Sequence, residues 1–240
     1  MAHTYFSNRS GVQIDLDQVG TLIREATLPE GKVVLVFNDT PLPDDMQGSC
    51  TPKMLSRFSP DFNPICNADD FSKWDVCIAL SKQACLRYTE FPAYFSYLIG
   101  HELGHAMICL NELSLHIHYC LIQGHIAIAS RNAISMWHEL PHEIRFDQYG
   151  LYLSERLWSR SKLNGEMEML MSRRDCQDRD RLEMMLSLAS RSDLDRIRED
   201  LVNFSLPYKE ALIASWENDK RERGRNSLAS LVFDYEALFK

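Results

Sequence analysis

The sequence predicts an α+β fold, and three observations carry that reading. Lys32 to Asn38 (KVVLVFN) is a short β-branched run bounded by Gly31 and Asp39, the form of a buried strand. Residues 74–81 (WDVCIALS) alternate large apolar side chains with small or polar ones, the period of a half-buried strand. Residues 92–110, and the chain from Asp178 onward, instead repeat their apolar positions at helical spacing.

The remaining elements follow in order. Residues 15–27 read as an amphipathic helix with Leu16, Val19, Leu22 and Ile23 on one face. Residues 39–70, rich in Pro, Asp, Asn and Ser, read as an extended loop. The helix over 92–110 starts at Pro92, which a first turn tolerates, with Thr89 and Glu90 upstream as capping-type residues. Leu98, His101, Glu102, His105, Ile108 and Cys109 form its inward stripe. Gly104 inside it costs about 1 kcal/mol relative to alanine, and close approach of another backbone is the reason expected for it. Between 111 and 137, Leu115, Ile117 and Tyr119 alternate with His116 and His118, as in a strand with its histidines away from the apolar face. His125 follows, and all three histidines are expected on the surface or a cleft wall, because none has a spaced metal-binding partner. A second active helix runs from Glu143 through Leu151, Ser154 and Trp158. Three further helices are expected at 178–190, 193–204 and 207–220. The chain divides accordingly into a core, 1–160, and a helical C-terminal extension, 161–240, suited to closing a cleft, binding a regulator or dimerising.

Composition narrows the class. The 240 residues, 45% hydrophobic, suffice for one sizeable core. The net charge of −8 argues against nucleic acid as a partner. The one basic run, Lys220 to Arg225, reads as a solvated loop. No stretch reaches the ~18–20 apolar residues of a membrane span, and Met1 to Gly11 lacks the apolar core of a signal peptide. The expected location is cytoplasmic, without a membrane partner. Seven cysteines, an odd number with no CxxC, are simplest as free thiols in a reducing compartment.

The chemistry sits in His101-Glu102-Leu103-Gly104-His105, an HExxH run. On a helix, residues i and i+4 share a face, so His101 and His105 can grip one zinc ion. Glu102 lies beside them as the general base that takes a proton from water. A second HExxH, His138 to His142, contains Pro141. That proline fits the first position of a helix and leaves His138 outside it, so the i, i+4 geometry is lost. Catalytic zinc needs a third protein ligand and an open position. Ile108 and Asn111 stand where a metzincin would have Gly and His, and His125 stands near where thermolysin-type spacing would put a glutamate.

Glu143 to Gly150 (EIRFDQYG) supplies what is missing, 38 residues after His105. Glu143 and Asp147 share a helix face. Glu143 can bind the metal, and Asp147 can accept the ring N–H of a ligating histidine. Alone the two read as solubilising charges near a helix N-terminus; beside HELGH they read as part of a metal site. HELGH followed by ExxxDxYG resembles the gluzincin zinc peptidases, and is similar to the minigluzincin core and the ImmA/IrrE group. The integral-membrane prenyl-protein proteases share the ExxxD element. The resemblance spans roughly residues 30–160 and rests on two short motifs, compared by motif logic. It implies a zincin-like core with a small mixed sheet and one catalytic zinc ion. His101, His105 and Glu143 would be the ligands, Glu102 the base and Asp147 the residue that orients a histidine. It implies a protein or peptide substrate, a cognate regulatory protein being the leading expectation. No residue matches the family's transition-state stabiliser; His142, Tyr149 and His138 are candidates by sequence proximity to Glu143. In such peptidases an extended substrate pairs with the free edge of a strand before the metal helix, here 74–81, although an ordinary internal strand fits equally. Two other functions stay open: a non-catalytic zinc-binding interaction protein, and hydrolysis of a non-peptide amide.

Overall fold

The computed structural model describes residues 2–42, 46–53, 74–129, 140–176 and 178–224, with backbone alone at 124–129, 219 and 223. It is a mixed α+β fold: a small sheet carried on a larger body of helices.

Strand β1 (His3–Asn8) opens the chain and is followed by helix α1 (Leu16–Ala26). Asp15 caps α1 by accepting from the amides of Asp17 and Gln18. Strands β2 (Lys32–Phe37), β3 (Gly48–Pro52) and β4 (Val76–Leu80) complete a four-stranded sheet in the order β1-β2-β4-β3. β1, β2 and β4 are parallel, whereas β3 runs antiparallel to β4, with Gly48 opposite Leu80 and Pro52 opposite Val76. The two central strands are buried on both faces. Val33, Leu35, Phe37, Val76, Ile78 and Leu80 join the helical core, while Val34, Val36, Cys77 and Ala79 pack under Leu42 and Trp74.

This corrects the expectation for 74–81. The strand there is internal, fully buried and flanked by β2 and β3, because Trp74 and Leu42 cover its second face. The edge strand beside the helices is β3, inside the stretch expected as loop. Its GSCTP sequence carries little hydrophobic signal, as an edge position permits, and Pro52 fits such an edge. The rest of the 39–70 stretch lies largely outside the described residues.

Helices α2 (Lys82–Arg87), α3 (Pro92–Asn111), α4 (Leu113–Ala129) and α5 (Pro141–Glu155) follow. Then come α6 (Arg160–Met171), α7 (Arg179–Ser187), α8 (Ile197–Ser205), a 3₁₀ turn (Leu206–Tyr208) and α9 (Lys209–Arg223). α3 is the central helix, buried around most of its circumference rather than along one stripe. Its cap is not local. Thr89 bonds back to Leu86 and Glu90 pairs with Arg173. The first turn of α3 is instead capped from α6, where Glu166 Oε2 accepts from the Tyr94 amide at 2.8 Å. α4 is a helix where a strand was expected. The apolar/His alternation over 115–119 is short, and the segment around it is apolar enough to bury as a helix. His116 and His118 are accordingly buried, not on the surface; His125 has no described side chain. Trp158 lies just past the end of α5, its indole N–H donating to Ser96 Oγ at 3.0 Å.

The helices beyond residue 160 share the core of the rest. Leu163, Met167, Leu170, Leu182, Met185 and Leu201 belong to the same buried cluster as α3 and α5. Among the described residues, no helix is long and apolar enough to cross a membrane. Cys85, Cys109, Cys120 and Cys176 carry free thiols.

Candidate metal centre

Helices α3 and α5 pack against each other along their lengths, and that contact assembles the site. Gly100, Gly104 and Gly150 let them meet. A Cβ on Gly150 would stand 2.8 Å from the Tyr97 carbonyl oxygen and 2.9 Å from the His101 amide nitrogen. Gly104 has a different reason from the one expected: its missing Cβ leaves room for the Phe146 ring (2.9 Å) and the Tyr149 ring (3.3 Å), not for a backbone. The Phe146 ring in turn lies against His105, centroids 3.8 Å apart.

Pro141 opens α5 at its first position, as its ring requires, with Leu140 as N-cap. Glu143 therefore sits in the first turn, where a carboxylate is favoured. His142, in the same turn, points into the core; His138 and Glu139 lie outside the described residues.

From these positions three ligand atoms converge. His101 Nε2 and His105 Nε2 are 3.2 Å apart. Glu143 Oε2 is 3.4 Å from the first and 3.6 Å from the second. His101 and Glu143 are buried and His105 half-buried, and this His/His/Glu group can hold a metal ion. The spacing fits. Tetrahedral bonds of about 2.0–2.1 Å put ligand atoms about 3.4 Å apart. The donor chemistry fits as well. Two imidazole nitrogens facing each other and one carboxylate cannot all be satisfied by a single shared proton, whereas a cation satisfies all three lone pairs. Among the described residues no fourth His, Cys, Asp or Glu joins the group.

The surroundings hold the ligands. Asp147 Oδ1 accepts from His101 Nδ1 at 2.9 Å, which points Nε2 inward. The same oxygen accepts from the Tyr97 hydroxyl and, at 2.7 Å, from Arg181 on α7. Gln123 on α4 donates to Glu143 Oε1 at 2.8 Å, leaving Oε2 to face the histidines. Sequence reasoning missed Tyr97, Gln123, Phe146 and Arg181. Tyr97 was within reach, being one turn before His101 on the same face; Gln123 and Arg181 had no motif to mark them.

Electrostatics follow the geometry. Burial would lower the basicity of His101, but Asp147 and Glu143 override it and raise its pKa to about 10 in the metal-free site. Burial alone would raise Glu143, but the two imidazoles hold its carboxyl well below the usual range. Burial likewise opposes ionisation of Asp147, but the Arg181 guanidinium and the His101 ring together hold its carboxyl below the usual range. Glu102 is shifted upward, chiefly by burial. Its carboxylate lies over β3, where a Cβ on Gly48 would come within 2.6 Å of Oε1.

Two of the oxyanion candidates lie within the described residues. The Tyr149 hydroxyl donates to the Ala26 carbonyl at the end of α1 (3.1 Å). The His142 ring is fully buried, stacked on Tyr119 at 4.9 Å, with its Nε2 3.6 Å from Glu143 Oε1. Burial lowers His142 to about 4 and His116 to about 3, so both are neutral rings. Comparison with protein-family models, curated proteins and solved structures finds no match.

Proposed function

We propose that this chain is a zinc-dependent peptidase of the gluzincin type, with a zincin-like core. What carries the reading is the convergence of His101 Nε2, His105 Nε2 and Glu143 Oε2 within 3.6 Å, beside a buried Glu102 that is not itself a ligand. Two imidazoles, one carboxylate and no fourth protein ligand among the described residues is the donor set of a catalytic rather than a structural zinc site.

A zinc ion held there supplies Lewis-acid activation of water and of a substrate carbonyl. Glu102 takes the proton from the attacking water and returns it to the leaving amine. Its upward-shifted pKa suits both halves of that task. Asp147 keeps the proton of His101 on Nδ1, so that Nε2 presents its lone pair. An extended peptide lies along β3, whose outer side pairs with no described strand, so main-chain hydrogen bonds hold it without reading its sequence. The resemblance to the ImmA/IrrE group favours a regulatory protein as substrate.

Two variants test the proposal. Glu102→Gln keeps metal affinity while cleavage in a peptide-library digest, read by mass spectrometry, disappears; cleavage at the parental rate overturns the mechanism. Glu143→Ala loses metal, and unchanged affinity in a competitive chelator titration removes Glu143 from the ligand set.

A further inference from the structure

The C-terminal helices contribute one residue to the metal site. Arg181, on α7, carries a largely buried guanidinium, 12% exposed. Its Nη2 lies 2.7 Å from Asp147 Oδ1, 2.9 Å from the Tyr97 hydroxyl and 3.5 Å from His101 Nδ1. Asp147 Oδ1 thus collects donors from α3 and α7 together, while Oδ2 has no hydrogen-bond partner. With His101, Tyr97 and Arg181 all on Oδ1, displacing the carboxylate breaks three contacts at once.

α7 is itself fixed to the other half of the site. Asp178, at its N-terminal boundary, accepts from Gln47. Gln47 also accepts from Arg87 (2.6 Å) and from the Tyr94 hydroxyl (3.3 Å). It immediately precedes Gly48, the residue under Glu102. One short helix therefore reaches both the aspartate behind His101 and the strand beneath the general base. Charge counting points the same way. Glu102, Glu143 and Asp147 are buried together, and Arg181 balances one of them. Two negative charges remain, the number a divalent cation cancels.

We propose that Arg181 is a positioning residue of the metal site: it locks Asp147, and through Asp147 it sets the orientation of His101 and the retention of zinc. This rests on the reading of His101, His105 and Glu143 as a zinc site. It also gives the helical extension a role other than lid, regulator dock or dimer surface: α7 completes the site.

The informative substitution keeps the charge. A neutral residue at 181 would also remove a cation that repels zinc, and the two effects would oppose each other. Lysine retains the charge but is shorter, so its Nζ falls short of the position from which Arg181 Nη2 donates to both Asp147 Oδ1 and the Tyr97 hydroxyl. The full-length chain, stripped with chelator, is titrated with Zn²⁺ against a chromophoric competitor. Arg181→Lys weakens zinc about 10-fold, the lower end of the 10–100-fold range for groups that hold a ligand in place. In an Asp147→Asn background the same change adds less than about 2-fold, because the residue through which it acts is gone. Parental affinity in Arg181→Lys, or full additivity with Asp147→Asn, overturns the proposal. Failure of the parent chain to bind zinc overturns the metal site itself, a separate result. Should Arg181→Lys not fold, NMR of the parent decides. A guanidinium fixed by Asp147 and Tyr97 gives resolved, slowly exchanging Nη–H signals, and averaged, fast-exchanging signals sink the idea.

Discussion

Gly100 and Gly150 face each other where α3 crosses α5, so closely that a Cβ on Gly100 would stand 3.0 Å from the Gly150 Cα. Everything the site needs from two helices depends on that approach. His101 follows Gly100 directly, and Asp147 and Glu143 lie one and two turns before Gly150. The separation of the two helix axes therefore sets how near Glu143 and Asp147 come to the histidines.

Gly150→Ala tests this. Alanine gains about 1 kcal/mol of helix propensity over glycine. Its methyl, however, meets backbone atoms of Tyr97 and His101 at 2.8 and 2.9 Å, and backbone cannot rotate away as a side chain can. Overpacking of this kind costs about 1–3 kcal/mol and occasionally more. We expect net destabilisation of about 2 kcal/mol in urea unfolding of the metal-free protein. Zinc affinity falls as well, since Glu143 and Asp147 move away from His101. A stability equal to the parent's would mean that the helices part without cost.

Glu166 offers a second test, away from the metal. Its carboxylate caps the first turn of α3 across a separation of 72 residues, where Pro92 and Phe91 provide no side-chain cap. Glu166→Ala should cost about 1 kcal/mol, the usual worth of a cap. Burial, the largest influence, raises this carboxyl above its ordinary pKa, with the Tyr94 amide pulling the other way. The folded state therefore holds its proton more tightly than the unfolded state. The carboxyl's contribution is fullest below its unfolded pKa and declines as pH rises through the carboxylate range. Glu166→Gln, isosteric with the protonated acid, should match the parent at the acid end and gain on it toward neutrality. Chemical unfolding at several pH values reads the difference, and a parallel pH course for the two proteins would contradict it.

What was legible in the sequence depended on whether the cause was local. α1, β2 and the limits of α3 follow from periodicity, turn residues and Pro92. The opening of α5 follows from the ring of Pro141, which also disqualifies the second HExxH. The pairing of His101, His105 and Glu143 was readable because helical spacing fixes two of them and the family resemblance implied the third. β3 was not readable, since GSCTP owes its strand form to pairing with β4 rather than to its own propensities. The α4 segment failed for the opposite reason: five alternating residues mimic a strand that neighbouring helices override. Glu166 and Arg181 act across 72 and 34 residues of sequence from Tyr94 and Asp147, and nothing in their own neighbourhoods marks them.

Gly48 provides the sharpest separation of metal binding from chemistry. It pairs with Leu80 at the end of β3 nearest the metal helix, and Glu102 Oε1 occupies the space a side chain would take. In Gly48→Ala the new methyl, 2.6 Å from that oxygen, displaces the far end of a flexible side chain and leaves backbone untouched. Stability should therefore change little, by less than about 1 kcal/mol, with the entropic benefit of replacing glycine offsetting the contact. The three atoms nearest that methyl all belong to Glu102 and none to His101, His105 or Glu143, so zinc affinity should stay within about 2-fold of the parent. The carboxylate itself must move, and misplacement of a catalytic group by about 1 Å can cost about 100-fold in rate. On the proposed mechanism, kcat falls by one to two orders of magnitude at unchanged metal content. Lysine or leucine at the same position, too large to be absorbed by a tilt of Glu102, should abolish turnover. A Gly48→Ala protein that binds zinc and turns over at the parental rate would show that Glu102 does not need this position over β3, and would remove the strongest geometric support for its role as base.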